Sequence, residues 1–223
     1  MSDSAVNGLA HSEQSSVDEV YHQILLRIIR GEYSEGRILA GSILARELKV
    51  SRTPVVSALD RLVADGILQK EMNKRAVVCS GAGQWLIQVH QLRELIEPPA
   101  AAQAAVRIPM DVIQHLEQIA RDAEPSGDQS WIEAARNFDY ALHLTIADQC
   151  GNLPLRKSIY KCWSYKRLSY EASDAVTSNL DVGYREHIAI LQALSRHDAE
   201  TASAAMLFHL RSAAYLTADR GIV

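Results

Sequence analysis

The sequence has few cysteines and few aromatic residues, and it has no long hydrophobic run. Its three cysteines are far apart and form no CxxC pair, which argues against a disulfide framework and against a zinc finger, and indicates reduced thiols. A membrane helix needs roughly 20 consecutive apolar residues, and no segment reaches that length. The amino terminus also lacks the basic and hydrophobic segments of a secretory signal. These absences predict a cytoplasmic protein with no membrane partner.

The chain also lacks an excess of basic charge, since its formal net charge is -4 at pH 7. The first 80 residues, however, carry equal numbers of basic and acidic side chains, and their basic residues cluster. A local patch is enough for phosphate contacts, so the charge does not exclude DNA binding. Aromatic residues make up only 6% of the chain, and the abundance of alanine and leucine favours helix over sheet.

Residues 42–78 have the layout of a winged helix-turn-helix. The apolar spacing predicts, in this order, helices over 42–49 and 51–65 and then strands over 67–68 and 76–78. Gly66 stops the second helix, and Asn73 lies at the turn between the strands. Two short helices joined by a tight turn, followed by an apolar hairpin with a basic tip, are typical of a domain that reads DNA.

The rest of the chain is predicted to be helical. A first helix is expected from Ser16 to about Arg30, after a Ser-rich flexible arm over 1–15, and Ile38 and Leu39 are expected to pack inward from a turn. These segments complete a DNA-binding domain over 16–80. A glycine-rich boundary precedes an all-helical bundle over 84–223, with helices expected at 84–107, 109–124, 130–149, 154–173, 178–196 and 198–219. The predicted fold class is therefore mainly α, with a small β wing.

A recognition helix places its amino-terminal residues at base edges in the major groove. Arg52 is the candidate for direct base reading, because a guanidinium can bridge guanine O6 and N7. The other expected contacts go to phosphates, to neighbouring bases or, from the wing tip, to the minor groove. The predicted DNA-contacting residues are Arg46, Ser51, Arg52, Thr53, Val56, Lys74 and Arg75. The alternative is a helix-turn-helix that binds protein, in which Arg52 is merely a solvated charge.

The run VSRTPV at 50–55 and the pattern AL.RL...G.L over 58–68 resemble the DNA-binding domain of GntR-family transcription regulators. The resemblance implies a winged helix-turn-helix that binds DNA. The chain departs from the family pattern at three positions. Most members carry an arginine in place of Val56, a basic residue in place of Ser42 and a glycine in place of Arg75. Two common DNA-contacting side chains are therefore absent, while the wing gains one.

Four polar residues in the helical part form the strongest chemical constellation: Asp139, His143, His187 and His209. Asp139 and His143 are spaced i, i+4 on one helix, so their side chains project from the same face. Three imidazoles and one carboxylate suit Zn²⁺, Ni²⁺, Mn²⁺ or Fe²⁺ better than Ca²⁺ or Mg²⁺. From spacing alone, an ordinary surface ion pair with two unrelated histidines is the alternative.

The run from Asp139 to His143 with Gly151-Asn152, and the segment 186–210, resemble the FCD ligand-binding domain of the FadR subgroup of this family. The resemblance implies that the aspartate and three histidines hold a divalent metal, with zinc as the first expectation, inside the bundle. Arg93 and Glu97 match the start of that domain, where the arginine often lies in the ligand cavity. The expected effector-binding residues are Arg93, Glu97, Asn137 and Arg156, and the alternative is an Arg93–Glu97 pair on the helix surface.

The resemblance predicts a repressor that is not an enzyme. A cytoplasmic homodimer would bind a pseudo-palindromic operator in double-stranded DNA, since two-fold symmetry demands matching half-sites. A small carboxylate metabolite bound at the metal-containing cavity would change its operator affinity. Two alternatives remain open at this point: a regulator for which the metal itself is the signal, and an all-helical metal-dependent hydrolase.

Overall fold

A computed structural model describes residues 3–71, 75–126, 130–172 and 178–218 of the chain. These residues form two compact units, Met1–Leu86 and Ile87–Val223. The structure is mainly helical with one small sheet, which confirms the predicted fold class. The first unit contains α1 (Asp3–Ile29), β1 (Ile38–Leu39), α2 (Gly41–Glu47), α3 (Arg52–Ala64), β2 (Leu68–Lys70) and β3 (Ala76–Val78).

The core of the first unit lies between α1 and α3. Val20, Ile24, Leu25 and Ile28 fall on one face of α1 and are almost fully buried. This face packs against α3, whose buried residues are Val55, Ala58, Leu59 and Leu62. The 3.6-residue period of both helices explains why the apolar spacing of the sequence locates these faces. The opposite side of α3 is left exposed.

Two predictions for the first unit are wrong. The first helix does not begin at Ser16, because α1 already begins at Asp3. Residues 3–15 contain no proline and several good helix formers, so a helix can run through them despite their polarity.

The segment Ile38–Leu39 is not a plain turn but a short strand. It pairs antiparallel with β3, giving the sheet order β1-β3-β2. Only Leu39 packs inward, since Ile38 is 46% exposed. Successive residues of a strand point to opposite faces of the sheet, which explains the difference. The predicted turn residue Asn73 and the wing-tip Lys74 lie outside the described residues.

The second unit is a helical bundle. Its helices are α4 (Trp85–Ala105, beginning at the end of the first unit), α5 (Met110–Asp122), α6 (Ser130–Gln149), α7 (Leu153–Ala172), α8 (Ser178–Ser195) and α9 (Ala199–Ala218). Helix α6 contacts α5, α7 and α8, and α8 packs along α9. One apolar cluster fills the bundle, including Phe138, Leu142 and Trp163. The polar residues of interest are buried beside this cluster.

Candidate metal centre and candidate nucleic-acid interface

The structure brings the four predicted metal ligands together. Asp139 and His143 lie one turn apart on α6, while His187 comes from α8 and His209 from α9. One ligand atom from each residue lies within 4.8 Å of all the others. All four residues are buried. The cluster therefore lies inside the bundle, at the meeting of three helices.

The contacts within the cluster define which atoms face its centre. Nε2 of His187 lies 3.1 Å from Nε2 of His209 and 3.4 Å from Nε2 of His143. Oδ1 of Asp139 lies 3.1 Å from the same His187 nitrogen and 3.5 Å from Nε2 of His143. Three ring nitrogens and one carboxylate oxygen thus converge on one point.

Two carboxylates outside the cluster hold the outer nitrogens of two imidazoles. Nδ1 of His143 lies 2.5 Å from Oε2 of Glu97, and Nδ1 of His209 lies 2.9 Å from Oε2 of Glu186. An ionised carboxylate only accepts hydrogen bonds, so we assign the proton of each ring to Nδ1. The inward Nε2 atoms of His143 and His209 are then lone-pair donors. Carboxylate–histidine pairs of this kind orient the ligands of protein metal sites.

Glu97 is the centre of this outer network. Arg93 donates from Nε to Oε1 at 2.5 Å, and the indole nitrogen of Trp163 donates to the same oxygen at 3.2 Å. Burial raises the pKa of Glu97, but the charge of Arg93 and the interaction with His143 outweigh it and lower the pKa to about 2. The guanidinium of Arg93 also lies over the Trp163 ring, 4.5 Å from its centroid. Glu97 is therefore a fixed anion that orients His143.

The electrostatics of the cluster suit a cation. Burial lowers the pKa of His143 and holds that of His209 well below its usual value. Burial raises the pKa of Asp139, yet its interaction with His187 outweighs burial and holds the pKa well below the usual range. The centre thus gathers an ionised carboxylate and, in His143 and His209, two uncharged imidazoles, the protonation states that metal ligands need. With two rings already protonated at Nδ1, the inward-facing atoms are mostly acceptors. A divalent metal fits this donor set.

The structure also shows a basic residue near the cluster that the sequence analysis missed. Lys166 lies on α7, one turn after Trp163, and burial lowers the pKa of its ammonium group. The charges of Asp139, Arg93 and Glu97 all act on it. The spacing of residues in the sequence does not show which helices α7 packs against. The available signal for Lys166 was its place on the inward side of a bundle helix, beside a buried tryptophan.

The predicted effector-binding residues divide into two groups. Arg93 and Glu97 form an ion pair, as the alternative interpretation predicted. The pair is buried, however, and does not lie on the helix surface, since the two side chains are 3% and 1% exposed. Asn137 and Arg156 do not reach the cluster. Asn137 is exposed on α6, and Arg156 is exposed on α7, where Nε pairs with Oδ1 of Asp148 at 2.6 Å. Their assignment to an effector site is corrected accordingly, because their helix faces point elsewhere.

The basic side chains of the first unit also divide into two groups. Arg27 bonds Tyr33 and Glu47, Arg61 pairs with Asp18, and Lys70 pairs with Asp60. Others are exposed and make no hydrogen bond or ion pair with any residue that the structure describes: Arg46, Lys49, Arg52 and Arg75. Three of these four are predicted DNA contacts. Cations that pair with none of the described residues are available for phosphates and bases.

The exposed side of α3 carries the remaining predicted contacts. Ser51 precedes the helix with extended backbone and makes no capping hydrogen bond through its side chain. Thr53 and Val56 are exposed on the first turns. With Arg52 they form a surface at the amino-terminal end of α3, where a recognition helix meets base edges. Lys74 lies outside the described residues, while Arg75 is exposed at the start of the last strand of the wing.

These two units define a class of protein: a winged helix-turn-helix joined to a helical bundle with an internal polar cluster. A family model for bacterial regulatory proteins of the gntR family matches residues 16–78, and one for the FCD domain matches residues 88–212. The chain belongs to the GntR family of bacterial regulatory proteins, with an FCD domain as its second unit. It is a DNA-binding transcriptional regulator and not an enzyme, as its relatives also indicate.

Relatives with curated names are regulators of operons or regulons. The Nta operon transcriptional regulator of Aminobacter aminovorans is 29% identical over 148 residues, covering 61% of this chain and 70% of that protein. The Uxu operon transcriptional regulator of Escherichia coli K12 is 27% identical over 227 residues, covering 91% and 87%. The Exu regulon transcriptional regulator of the same strain is 28% identical over 207 residues, covering 83% and 78%.

Solved structures share the fold. E. coli McbR/YncC has a TM-score of 0.65 at 19% identity, over 92% of this chain and 98% of that one. Lar, which controls expression of the Listeria monocytogenes agr system, has a TM-score of 0.62 at 19% identity, over 92% and 97%. Among the described helices of this chain, none is long and apolar enough to cross a membrane.

Proposed function

We propose that this regulator is a cytoplasmic homodimeric repressor of the FadR subgroup, released from its operator by a small carboxylate that binds at a metal centre in the FCD domain. The observation that carries the metal part is the convergence of three imidazole nitrogens and one carboxylate, two of the rings being held by outer carboxylates. The DNA part is supported by the exposed cations of the first unit that pair with no residue in the described part of the chain.

Asp139, His143, His187 and His209 would hold the metal. Zn²⁺ is the first choice because imidazole suits it, and Ni²⁺, Mn²⁺ or Fe²⁺ also accept this set. When bound, the metal supplies a positive centre that attracts a carboxylate. Glu97 and Glu186 keep His143 and His209 oriented, and the positive charge of Arg93 keeps Glu97 ionised. Four protein ligands fill a tetrahedral site, so a carboxylate that shares the metal requires a higher coordination number.

Lys166 replaces Arg93 as the proposed basic contact for the effector. The guanidinium of Arg93 is committed to Glu97 through Nε at 2.5 Å and Nη2 at 3.4 Å. Lys166 carries its charge on a flexible stem near Asp139, so its ammonium suits an anionic group of a ligand beside the metal. A small carboxylate satisfies both the metal and this ammonium. Release of the operator by a hundredfold requires about 2.7 kcal/mol of differential binding between two protein states.

A stripe of exposed apolar side chains on α4 supports a homodimer. Leu92, Leu95 and Val106 are 44%, 73% and 58% exposed. Positions on this face repeat with alternating spacings of three and four residues. We name the set the α4 stripe: Leu92, Leu95, Pro99 and the half-buried Ala102 on α4, with Val106 directly after the end of the helix. That repeat is the seam of a helix that packs against another helix. The stripe carries no charge, so it can meet its own copy across a two-fold axis without repulsion.

Operator binding under four conditions tests the proposal. A duplex selected by the purified protein is titrated with metal-free and Zn²⁺-loaded protein, each with and without a panel of small carboxylates. The proposal expects release only when metal and a carboxylate are both present. The second candidate, in which the metal itself is the signal, rests on the same cluster. It expects Zn²⁺ alone to switch operator affinity.

A further inference from the structure

The exposed face of α3 carries one large apolar side chain among polar ones. Val56 is 51% exposed, whereas the other large apolar residues of this helix face the core or its edge. Its neighbours on the exposed face are Arg52 and Thr53 one turn earlier and Ser57 next to it. An isolated exposed valine needs no explanation by itself. This one, however, lies in the centre of the surface that the proposed function places against DNA.

Val56 lies beside Gly41, the first residue of α2. A Cβ placed on Gly41 would lie 3.8 Å from Cγ2 of Val56, so this methyl group is directed at the start of α2. A β-branched side chain in a helix has one strongly preferred rotamer. Val56 therefore presents its remaining apolar surface outward in a defined direction.

The charges around Val56 limit the DNA-facing part of α3 to its first two turns. Asp60, one turn later, is an anion that would repel phosphates, and Lys70 pairs with it at 2.7 Å. Arg61 is committed to Asp18 and lies over the Tyr21 ring, 4.5 Å from its centroid. Val56 is thus the last apolar side chain of the exposed face before a region whose charges are already paired within the protein.

Only one group in the major groove offers an apolar contact, the 5-methyl of thymine. In the major groove, the edges of guanine, adenine and cytosine present hydrogen-bonding atoms. The isopropyl group of Val56 would displace water from these atoms without replacing the hydrogen bonds that the water makes. Four residues of helix rise about 6 Å, so the contacted base lies within about two base pairs of the one that Arg52 contacts.

We propose that Val56 determines operator specificity by reading the 5-methyl group of one thymine in each half-site. The inference rests on the proposed binding mode, in which the amino-terminal end of α3 enters the major groove. It predicts an operator with a thymine at a fixed distance from the base that Arg52 reads.

Replacement of thymine by deoxyuridine tests this directly, because the two bases differ only in the methyl group. A consensus half-site is first selected from a random duplex library with the full-length protein. Each thymine is then replaced singly by deoxyuridine, and affinities are measured by fluorescence anisotropy for wild type, Val56→Ala and Ile38→Ala. The last variant is a control, because Ile38 is a comparably exposed apolar residue on β1.

Deoxyuridine at one of the thymine positions should weaken wild-type binding about fourfold, which corresponds to the loss of one buried methyl group. The same substitution should leave the affinity of Val56→Ala unchanged, and Ile38→Ala should behave as wild type. An equal loss in wild type and Val56→Ala, or no loss at any thymine, would overturn the inference while leaving DNA binding intact. If the library yields no enriched sequence, the proposed binding mode itself fails.

Discussion

Glu97→Gln is the substitution that examines the metal centre most closely. The side chain of Glu97 is 1% exposed and connects Arg93, Trp163 and His143. Glutamine has the same shape but no charge. Its amide nitrogen can donate to Nδ1 of His143, which would move the ring proton to Nε2 and remove that ring from the ligand set.

The substitution should change both the metal affinity and the stability of the protein. First, loss of an outer-shell carboxylate lowers metal affinity by typically 10–100-fold, so the Kd for Zn²⁺ should rise by about that factor. Second, Arg93 is only 3% exposed and would lose its anion. Removal of one charged partner from a buried ion pair costs about 3–5 kcal/mol, which lowers the melting temperature by roughly 10 °C in a chain of this size.

Metal affinity is measured by competition with a chromophoric chelator, and stability by thermal unfolding of the metal-free protein. Glu94→Gln is the matched control on the same helix. Glu94 is 23% exposed and pairs with Arg211 at 3.5 Å and with His90 at 3.7 Å, but it contacts no metal ligand among the described residues, so Glu94→Gln should cost less stability than Glu97→Gln and leave the Kd for Zn²⁺ unchanged. Wild-type Zn²⁺ affinity in folded Glu97→Gln would refute the assignment of His143 as a ligand oriented by Glu97.

Glu186→Gln separates metal binding from folding. Glu186 holds Nδ1 of His209 at 2.9 Å, and its side chain is 10% exposed. No buried arginine depends on it among the described residues, so the stability cost should be smaller than for Glu97→Gln. Zn²⁺ affinity should still fall by about 10-fold or more. If both variants retain wild-type affinity, the cluster does not use its outer carboxylates.

Three further predictions concern other parts of the chain. Arg52→Ala should weaken binding to the selected operator by about 1–3 kcal/mol, whereas Arg61→Ala, which removes a cation already paired with Asp18, should not; equal losses would contradict the division of the basic residues. Leu95→Glu should convert the proposed dimer to a monomer in analytical ultracentrifugation, and an unchanged mass would exclude the α4 stripe as the dimer surface. Burial raises the pKa of the Cys162 thiol to about 11, so Cys162 should resist thiol reagents at pH 7.5 until the protein unfolds; rapid labelling in the native state would contradict its placement.

Much of the fold follows from local sequence signals. The helices of the bundle begin and end within a few residues of the predicted positions, because Pro109, Gly151 and His197 interrupt the apolar period where the helices end. The two-residue strand β1 is too short to show a period, and it depends on pairing with β3. The helical state of residues 3–15 is not marked by any apolar face, so polarity was mistaken for irregular structure.

The candidate site was predictable in its ligands but not in its outer network. Asp139 and His143 share a helix face, and the resemblance supplied His187 and His209. The contact between Glu97 and His143 joins residues 46 positions apart, and only the packing of α4 beside α6 creates it. An Arg–Glu pair spaced i, i+4 has the same pattern whether it is buried or exposed.

Helix geometry alone could have excluded one of the two misplaced residues. Asn137 precedes Asp139 by two positions, which turns its side chain about 200° away from the ligand face. Arg156 carried no such signal, because its partner Asp148 lies across the connection between α6 and α7. A surface ion pair of this kind follows from the tertiary structure and not from a local period.

The most direct test of the account is the affinity for a selected operator of metal-free and Zn²⁺-loaded protein, each measured with and without small carboxylates. The account predicts that a carboxylate weakens operator binding by about 100-fold in the Zn²⁺-loaded protein and leaves the metal-free protein unaffected, a coupling of about 2.7 kcal/mol. Equal release in both forms would contradict the role of the metal centre. A switch produced by Zn²⁺ alone would show that the metal itself is the signal.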